Sequence, residues 1–202
     1  MGRATTETPT RDRLLAAAIE VFAAKGYHGT SVDDIVTVSD TSKGAFYHYF
    51  PSKKDIFLTL VDSLATLVEQ GAETAIEAEN GALAKIEAAL AVVLETAAAR
   101  RELARILLVE AVGLGPEMEQ KRLEIHRRFA AVIQRRLDRA IAEGSIPRQD
   151  TELAAQAWIG ALIEVISQWL LTGGEPLVGR LPALRALLLR SIGASKRTPD
   201  AR

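Results

Sequence analysis

Apolar residues recur along this chain at helical spacing, and no stretch alternates with the period of two that a half-buried strand requires. Leu15, Ala18, Ile19 and Phe22 fall at i, i+3, i+4 and i+7, which predicts an amphipathic helix over Thr10 to Lys25, closed by Gly26. Ser31 followed by Asp34 has the capping-box pattern and opens a second helix whose Val32, Ile35 and Val36 face inward. After Val38 the break Ser39-Asp40-Thr41 leads to Ser42, the N-cap of a short third helix. Phe46 and Phe50, four apart, point into the core that Phe22 and Ile35 also enter. Pro51 ends this helix, because the residue before a proline is pushed out of the α region.

Ser52 with Asp55 repeats the capping pattern and starts a long helix in which Ile56, Leu60, Leu64, Leu67 and Ile76 share one side. Running to Ala78, it would span ~39 Å at 1.5 Å per residue. Breakers at Gly113 to Pro116, Gly144 to Pro147 and Gly173 to Pro176 separate the helices that follow. These are Leu83 to Ala99, Glu102 to Val112, Glu117 to Glu143, Thr151 to Leu171 and Leu181 to Ile192. The predicted fold is all-α with about nine helices: a three-helix bundle over residues 10–55 and a helical body over 56–194. Residues 1–9 and 195–202 are polar, lack periodicity and read as tails.

Composition narrows the chemistry. The 202 residues include no cysteine and only three histidines, His28, His48 and His126. Disulfides, thiolate metal sites and a cysteine nucleophile are excluded, and no cofactor or metal is expected. Glu110 and His126 could act as acid and base, but no nucleophile, metal or phosphate loop accompanies them, so an enzyme is not expected. The N-terminus carries no apolar leader, and no run approaches the ~18 apolar residues of a membrane span. The expected location is the cytoplasm, with no membrane partner.

Net charge is -1. In residues 1–55 the cations Arg3, Arg11, Arg13, Lys25, Lys43, Lys53 and Lys54 are matched one for one by Glu7, Asp12, Glu20, Asp33, Asp34, Asp40 and Asp55. Any affinity for a polyanion must therefore come from placement rather than bulk basicity. Placement is where TSKGAFYHYFPSKKDIF, Thr41 to Phe57, is unusual: Lys43 opens the third helix, and Lys53 and Lys54 open the fourth. A cation in the first turn opposes the helix dipole by roughly 0.3–1 kcal/mol. The arrangement becomes favourable when an external anion docks at the free N–H groups there. Gly44 strengthens this reading, since a glycine inside the first turn costs about 1 kcal/mol against alanine yet allows close backbone approach. Tyr47 must face outward once Phe46 and Phe50 face inward. Ser42, Lys43, Gly44, Tyr47 and Lys53 suit the second helix of a helix-turn-helix, which enters the DNA major groove by its N-terminal residues.

The stretch TSVDDIVTVSDTSKGAFYHYFPSKKDIF, Thr30 to Phe57, preceded by LLAAAIEVFAAKGY, Leu14 to Tyr27, resembles the TetR-like transcriptional regulators. The resemblance covers about a quarter of the chain. By position it implies a DNA-binding set of Thr30, Ser31, Ser42, Lys43, Gly44, Tyr47, His48, Tyr49 and Lys53. Ser31, Tyr47, Tyr49 and Lys53 would meet phosphate, with Lys43 and Gly44 nearest the base edges; it leaves open whether ring 48 or ring 49 reaches phosphate. The family commonly has glycine where this chain has Asp40, a residue that also tolerates the left-handed conformation.

Such regulators bind palindromic double-stranded operators as homodimers paired through their last two helices. Trp158, Leu162, Val165 and Trp169, with Leu184 and Leu188, form the apolar stripes expected to make that interface; the alternative is that they fill the monomer core. The resemblance also implies a cavity for a small lipophilic effector, assigned here to Leu64, Leu67, Val93, Leu107, Glu110, His126, Phe129 and Ile133. Glu110 and His126 could equally make structural hydrogen bonds or pair with arginines. The basic run Lys121 to Arg139 reads as a solvated helix face with i, i+4 pairs such as Glu124 to Arg128. The functional expectation is a ligand-responsive regulator, most simply a repressor. A constitutive DNA-binding factor and an all-α small-molecule binding protein are the other readings.

Overall fold

A computed structural model describes residues 9–111 and 113–194; the expected tails 1–8 and 195–202 and the predicted helix end at Val112 lie outside the described residues. Among the described residues nine α-helices occur in order: α1 Thr10–Gly29, α2 Val32–Val38, α3 Lys43–Tyr49, α4 Lys53–Ala78, α5 Ala82–Ala99, α6 Arg101–Arg105, α7 Pro116–Ala142, α8 Thr151–Thr172 and α9 Leu181–Ser191. No strand occurs among the described residues. The chain gathers into two compact units, one of residues up to 64 with 102–119, the other of 65–101 with the residues from 120 on. The first unit thus holds more than the segment 10–55, because α6 and the start of α7 cluster with the N-terminal bundle.

Capping residues set the boundaries in the first unit. Ser31 Oγ accepts from Asp34 N at 3.1 Å while Asp34 Oδ2 accepts from Ser31 N at 2.8 Å, completing the capping box. Ser42 Oγ accepts from Ala45 N at 3.0 Å. Gly26 breaks α1 with φ 67° and ψ 173°, after which Tyr27 to Gly29 form one more turn. Leu14, Phe22, Ile35, Phe46, Ile56 and Phe57 are fully buried around this bundle, and Phe22 and Phe57 meet edge to face at 5.1 Å.

The turn between α2 and α3 is a Schellman closure. Asp40 N bonds Thr37 O at 3.3 Å and Thr41 N bonds Val36 O at 3.0 Å, which satisfies the last carbonyls of α2. Asp40 adopts φ 49°, the left-handed conformation the sequence anticipates at this position. Arg13 on α1 donates to Ser39 O at 2.7 Å and Asp40 O at 2.6 Å, tying the turn to the first helix.

Helix six departs from expectation. The α-helix stops at Arg105, and Ile106–Glu110 form a π-helical turn. Ala104, Ile106 and Leu107 are buried before and at the start of this turn, and the wider turn rotates the residues beyond it, so that Ala111 is buried as well. The π turn packs against α1. Glu110 Oε2 lies 3.0 Å from where a Cβ on Gly26 would stand, and Glu110 Oε1 lies 3.7 Å from Arg105 Nε.

In the second unit, α8 corrects the expectation that no run approaches a membrane span. Thr151–Thr172 is long and apolar enough by length and composition, with mean hydropathy 1.3 over 18 residues. Its apolar character serves packing within the unit: Ala155, Trp158, Ile159, Leu162, Ile166, Trp169 and Leu170 are buried. Trp158 Nε1 donates to Ser191 Oγ at 3.1 Å, and Thr151 Oγ1 donates to Asp138 Oδ1 at 2.6 Å, linking α8 to the end of α9 and to α7.

Asp34 sets an acid limit on the first unit. The Lys25 ammonium at 2.6 Å, then the Ser31 hydroxyl at 2.7 Å and the Ser31 N–H, hold its carboxyl far below the usual carboxylate range. A depressed folded pKa stabilises fully above the unfolded value of about 4 and is lost as pH falls below it. The urea midpoint should therefore decline on acidification from about pH 5, and Asp34→Asn should lower the neutral-pH midpoint while flattening that decline.

Candidate nucleic-acid interface

The exposed edge of the first unit brings the start of α2 beside the start of α3. Lys43, the first residue of α3, places its Nζ 2.7 Å from Asp33 Oδ1 on α2, and both side chains are exposed. That hydrogen bond, reinforced by the carboxylate charge, raises the Lys43 pKa. Tyr47 is 54% exposed and rests edge-on against buried Phe46 at 5.4 Å. His48 and Tyr49 are also exposed and meet edge to face at 4.8 Å, so both rings remain available. Ser31 and Ser42 are exposed at their helix starts.

Gly44 has no structural reason to be glycine. A Cβ there would meet only Ser42 Oγ at 3.7 Å, an ordinary contact, and its φ is not positive. The helix-propensity cost of about 1 kcal/mol therefore has no compensation inside the fold, which fits a backbone approached by something outside it.

The lysines that raised the question of external anions all have partners in the protein. Lys53 Nζ donates to Tyr27 O and Thr30 O, both at 2.7 Å, and lies 4.4 Å from the centre of the Tyr27 ring. Burial pushes its pKa down, as it does the Tyr27 phenol's upward. An ammonium has three protons, so Lys53 retains one for a phosphate while two cap the end of α1. Lys54 pairs with Glu117. Meeting an external anion is thus not the sole reason for these cations. Thr30 is a correction: its side chain is 3% exposed, and its hydroxyl donates to Gly26 O at 2.7 Å, so it faces the core rather than DNA. Arg13, which holds the turn, was missed by sequence reasoning because nothing in a linear pattern pairs positions 13 and 40.

The expected effector residues divide between the units. Leu64 and Leu107, in the first, are buried; Glu110 there is half-buried against Gly26 and Arg105, the structural pairing that the sequence left open. In the second, Val93, His126, Phe129 and Ile133 are half-buried, whereas Leu67 is 40% exposed and is not an enclosed lining residue. On α7, Arg136 falls on the same helical face as Phe129 and Ile133, and its Nε is buried without a hydrogen-bond partner. The basic residues of α7 include Arg128, bidentate to Glu69, and Arg139, 3.0 Å from Glu143.

The expected dimer residues require a second correction. Trp158, Leu162, Trp169, Leu184 and Leu188 are all buried within the single chain, and Val165 is half-buried. Trp169 is covered by the Arg101 guanidinium, 4.6 Å from its ring. Large rings pack where they exclude most water, which here is the monomer core. The outward face of α8 instead presents Leu153, Ala157, Gly160, Glu164 and Leu171, with Leu187 exposed on α9.

A three-helix bundle with a Schellman-closed turn, a short exposed helix and a helical body defines a helix-turn-helix transcriptional regulator. Residues 14–60 match the description "Bacterial regulatory proteins, tetR family", and residues 79–177 match "Tetracyclin repressor-like, C-terminal domain". The chain belongs to the TetR family of bacterial transcriptional regulators.

Among curated relatives, the fatty acid metabolism regulator protein of Bacillus subtilis is 28% identical over 167 residues, 81% of this chain and 84% of its own. An uncharacterized helix-turn-helix regulator of Lactococcus lactis is 43% identical over 54 residues; the chain spans only 28% of that relative's length. The solved structure of the regulator FadR from Bacillus subtilis in complex with stearoyl-CoA superposes with a TM-score of 0.82 at 26% identity. That alignment covers 90% of this chain and 98% of the other.

Gly44→Ala separates fold from function at this surface. It should raise the thermal midpoint of the first unit, in line with a gain of about 0.5–1 kcal/mol, while weakening binding to a selected DNA duplex at least tenfold. Melting curves and fluorescence anisotropy on one preparation measure both.

Proposed function

We propose that the chain is a repressor of lipid-metabolism genes that binds a palindromic operator as a homodimer and is released by a long-chain acyl thioester. The observation that carries this reading is the similarity to the Bacillus subtilis fatty acid regulator through both the DNA-binding segment and the body. Lys43, Gly44 and Tyr47 address the major groove, with Lys43 and Gly44 at the base edges. Ser31, Ser42, Tyr47, Lys53 and one of His48 and Tyr49 address phosphates. Arg136 supports an effector that is anionic as well as lipophilic, since a guanidinium with a buried, unbonded Nε gains a partner from a phosphate or carboxylate. Val93, Phe129 and Ile133 supply apolar contacts for its chain. Because α4 contributes residues to both units, it is the continuous element along which occupancy of the body reaches the DNA-binding bundle. Such a regulator acts on the chromosome in the cytoplasm.

Homodimer formation is assigned to the outward face of α8, where Ala157 and Gly160 allow two helices to approach closely between Leu153 and Leu171. Gly160→Leu should block that approach. Sedimentation should then show a monomer, circular dichroism an unchanged helicity, and anisotropy an affinity for the palindrome reduced to that for a single half-site.

The test of the main reading is selection of bound sequences from genomic fragments, followed by anisotropy titration of the best duplex. Lys43→Ala and Tyr47→Phe should each weaken it about tenfold or more, and stearoyl-CoA should release it where free coenzyme A does not. Enrichment of no duplex would overturn the regulatory reading. Release by neither stearoyl-CoA nor shorter acyl thioesters would overturn the effector class alone.

A further inference from the structure

Asp33 places a carboxylate on the surface that the fold offers to a polyanion. It stands in the first turn of α2, is 65% exposed, and holds the Lys43 ammonium at 2.7 Å across the turn between the helices. We propose that Asp33 is a specificity-determining residue that neutralises Lys43 in the free protein and at random DNA, yielding it only where base edges satisfy both partners. This rests on the DNA-binding reading above.

The argument is an exchange of hydrogen bonds. Nonspecific affinity grows with the number of phosphates that free cations neutralise, each steepening the log-affinity against log-salt slope by about 0.9. A lysine already paired contributes little to that attraction. To reach a phosphate at a random site, Lys43 must give up one charge-assisted bond for another, and Asp33 is then left unpaired facing the DNA charge. At a matched site both losses are repaired. Guanine O6 and N7 accept from the lysine, and the amino group of a neighbouring cytosine donates to the carboxylate. The pair therefore penalises wrong sites more than right ones, which is how repulsion produces discrimination.

An alternative role for Asp33 is favourable interaction with the α2 dipole, for which an acid in the first turn is well placed. That role does not depend on Lys43, and this dependence distinguishes the two. Wild type, Asp33→Ala, Asp33→Asn, Lys43→Ala and the double variant Asp33→Ala/Lys43→Ala would be titrated as full chains. The probes are the selected operator and a scrambled duplex of equal length, over a salt series, with helicity checked by circular dichroism.

Asp33→Ala should tighten binding to the scrambled duplex about three- to tenfold and steepen its salt slope by about one. Operator affinity should gain less than this, because loss of the cytosine contact offsets release of Lys43 there, so the operator-to-scrambled ratio falls. In the Lys43→Ala background the same substitution should leave the salt slope unchanged, because no cation is released, and should lower that ratio by clearly less. Asp33→Asn, which keeps the shape and drops the charge, should reproduce the effect if Asp33→Ala proves poorly folded. An unchanged ratio on the wild-type background, or an equal fall with and without Lys43, would overturn the proposal while leaving operator binding intact. Indifference of operator binding to Lys43→Ala and Tyr47→Phe would overturn the DNA-binding reading itself.

Discussion

The closure of α2 at Asp40 is the constraint on which the rest of the DNA-binding unit depends. One residue in the left-handed conformation lets Thr41 reach back to Val36 and turns the chain so that α3 leaves at a fixed angle. Arg13 holds the two carbonyls of that turn from α1, so the helix carrying Lys43, Gly44 and Tyr47 is referenced to the first helix and not merely to the second. Buried Phe46 and Phe50 then fix rotation about the α3 axis, which leaves Tyr47 no direction but outward.

Charge in this unit is arranged as a set of internal pairs. Lys25 meets Asp34, Lys43 meets Asp33, Lys54 meets Glu117, and Lys53 caps backbone carbonyls. Exposed pairs of this kind add little to stability, because water and salt screen them. Their larger consequence is for recognition. A lysine that is already paired attracts a polyanion less than a free one does, so these pairs bear on where the unit can bind as well as on how it folds. An overall charge of -1 is then compatible with DNA binding only through the placement of these groups, not through bulk attraction.

The body shows the opposite economy, with apolar surface in excess of what one face of each helix needs. In α8 the tryptophans and leucines turn inward, and the outward face is left with small residues flanked by Leu153 and Leu171. Helix six departs from α geometry just where it packs on α1, and its π turn sets Glu110 over the glycine that breaks α1. The positive-φ backbone that Gly26 permits and the widened turn meet at one point within the first unit.

Local rules were enough to read most of the first unit from the sequence. Capping at Ser31 and Ser42, the stops at Gly26 and Pro51, the left-handed Asp40 and the inward pair Phe46 and Phe50 all depend on residues within a turn or two of one another. Helix lengths in the body were legible for the same reason, since breakers act locally. What the sequence left undecided were choices between faces and between distant partners. Thr30 reads as a surface threonine until its hydroxyl is seen to find Gly26 O, and Lys53 reads as a free cation until Tyr27 and Thr30 supply carbonyls. Trp158 and Trp169 could have met a second chain, but α8 is apolar on nearly every side, and periodicity cannot rank two apolar faces. Only packing, which buries the larger rings where neighbours already exclude water, decided that they belong to the monomer core.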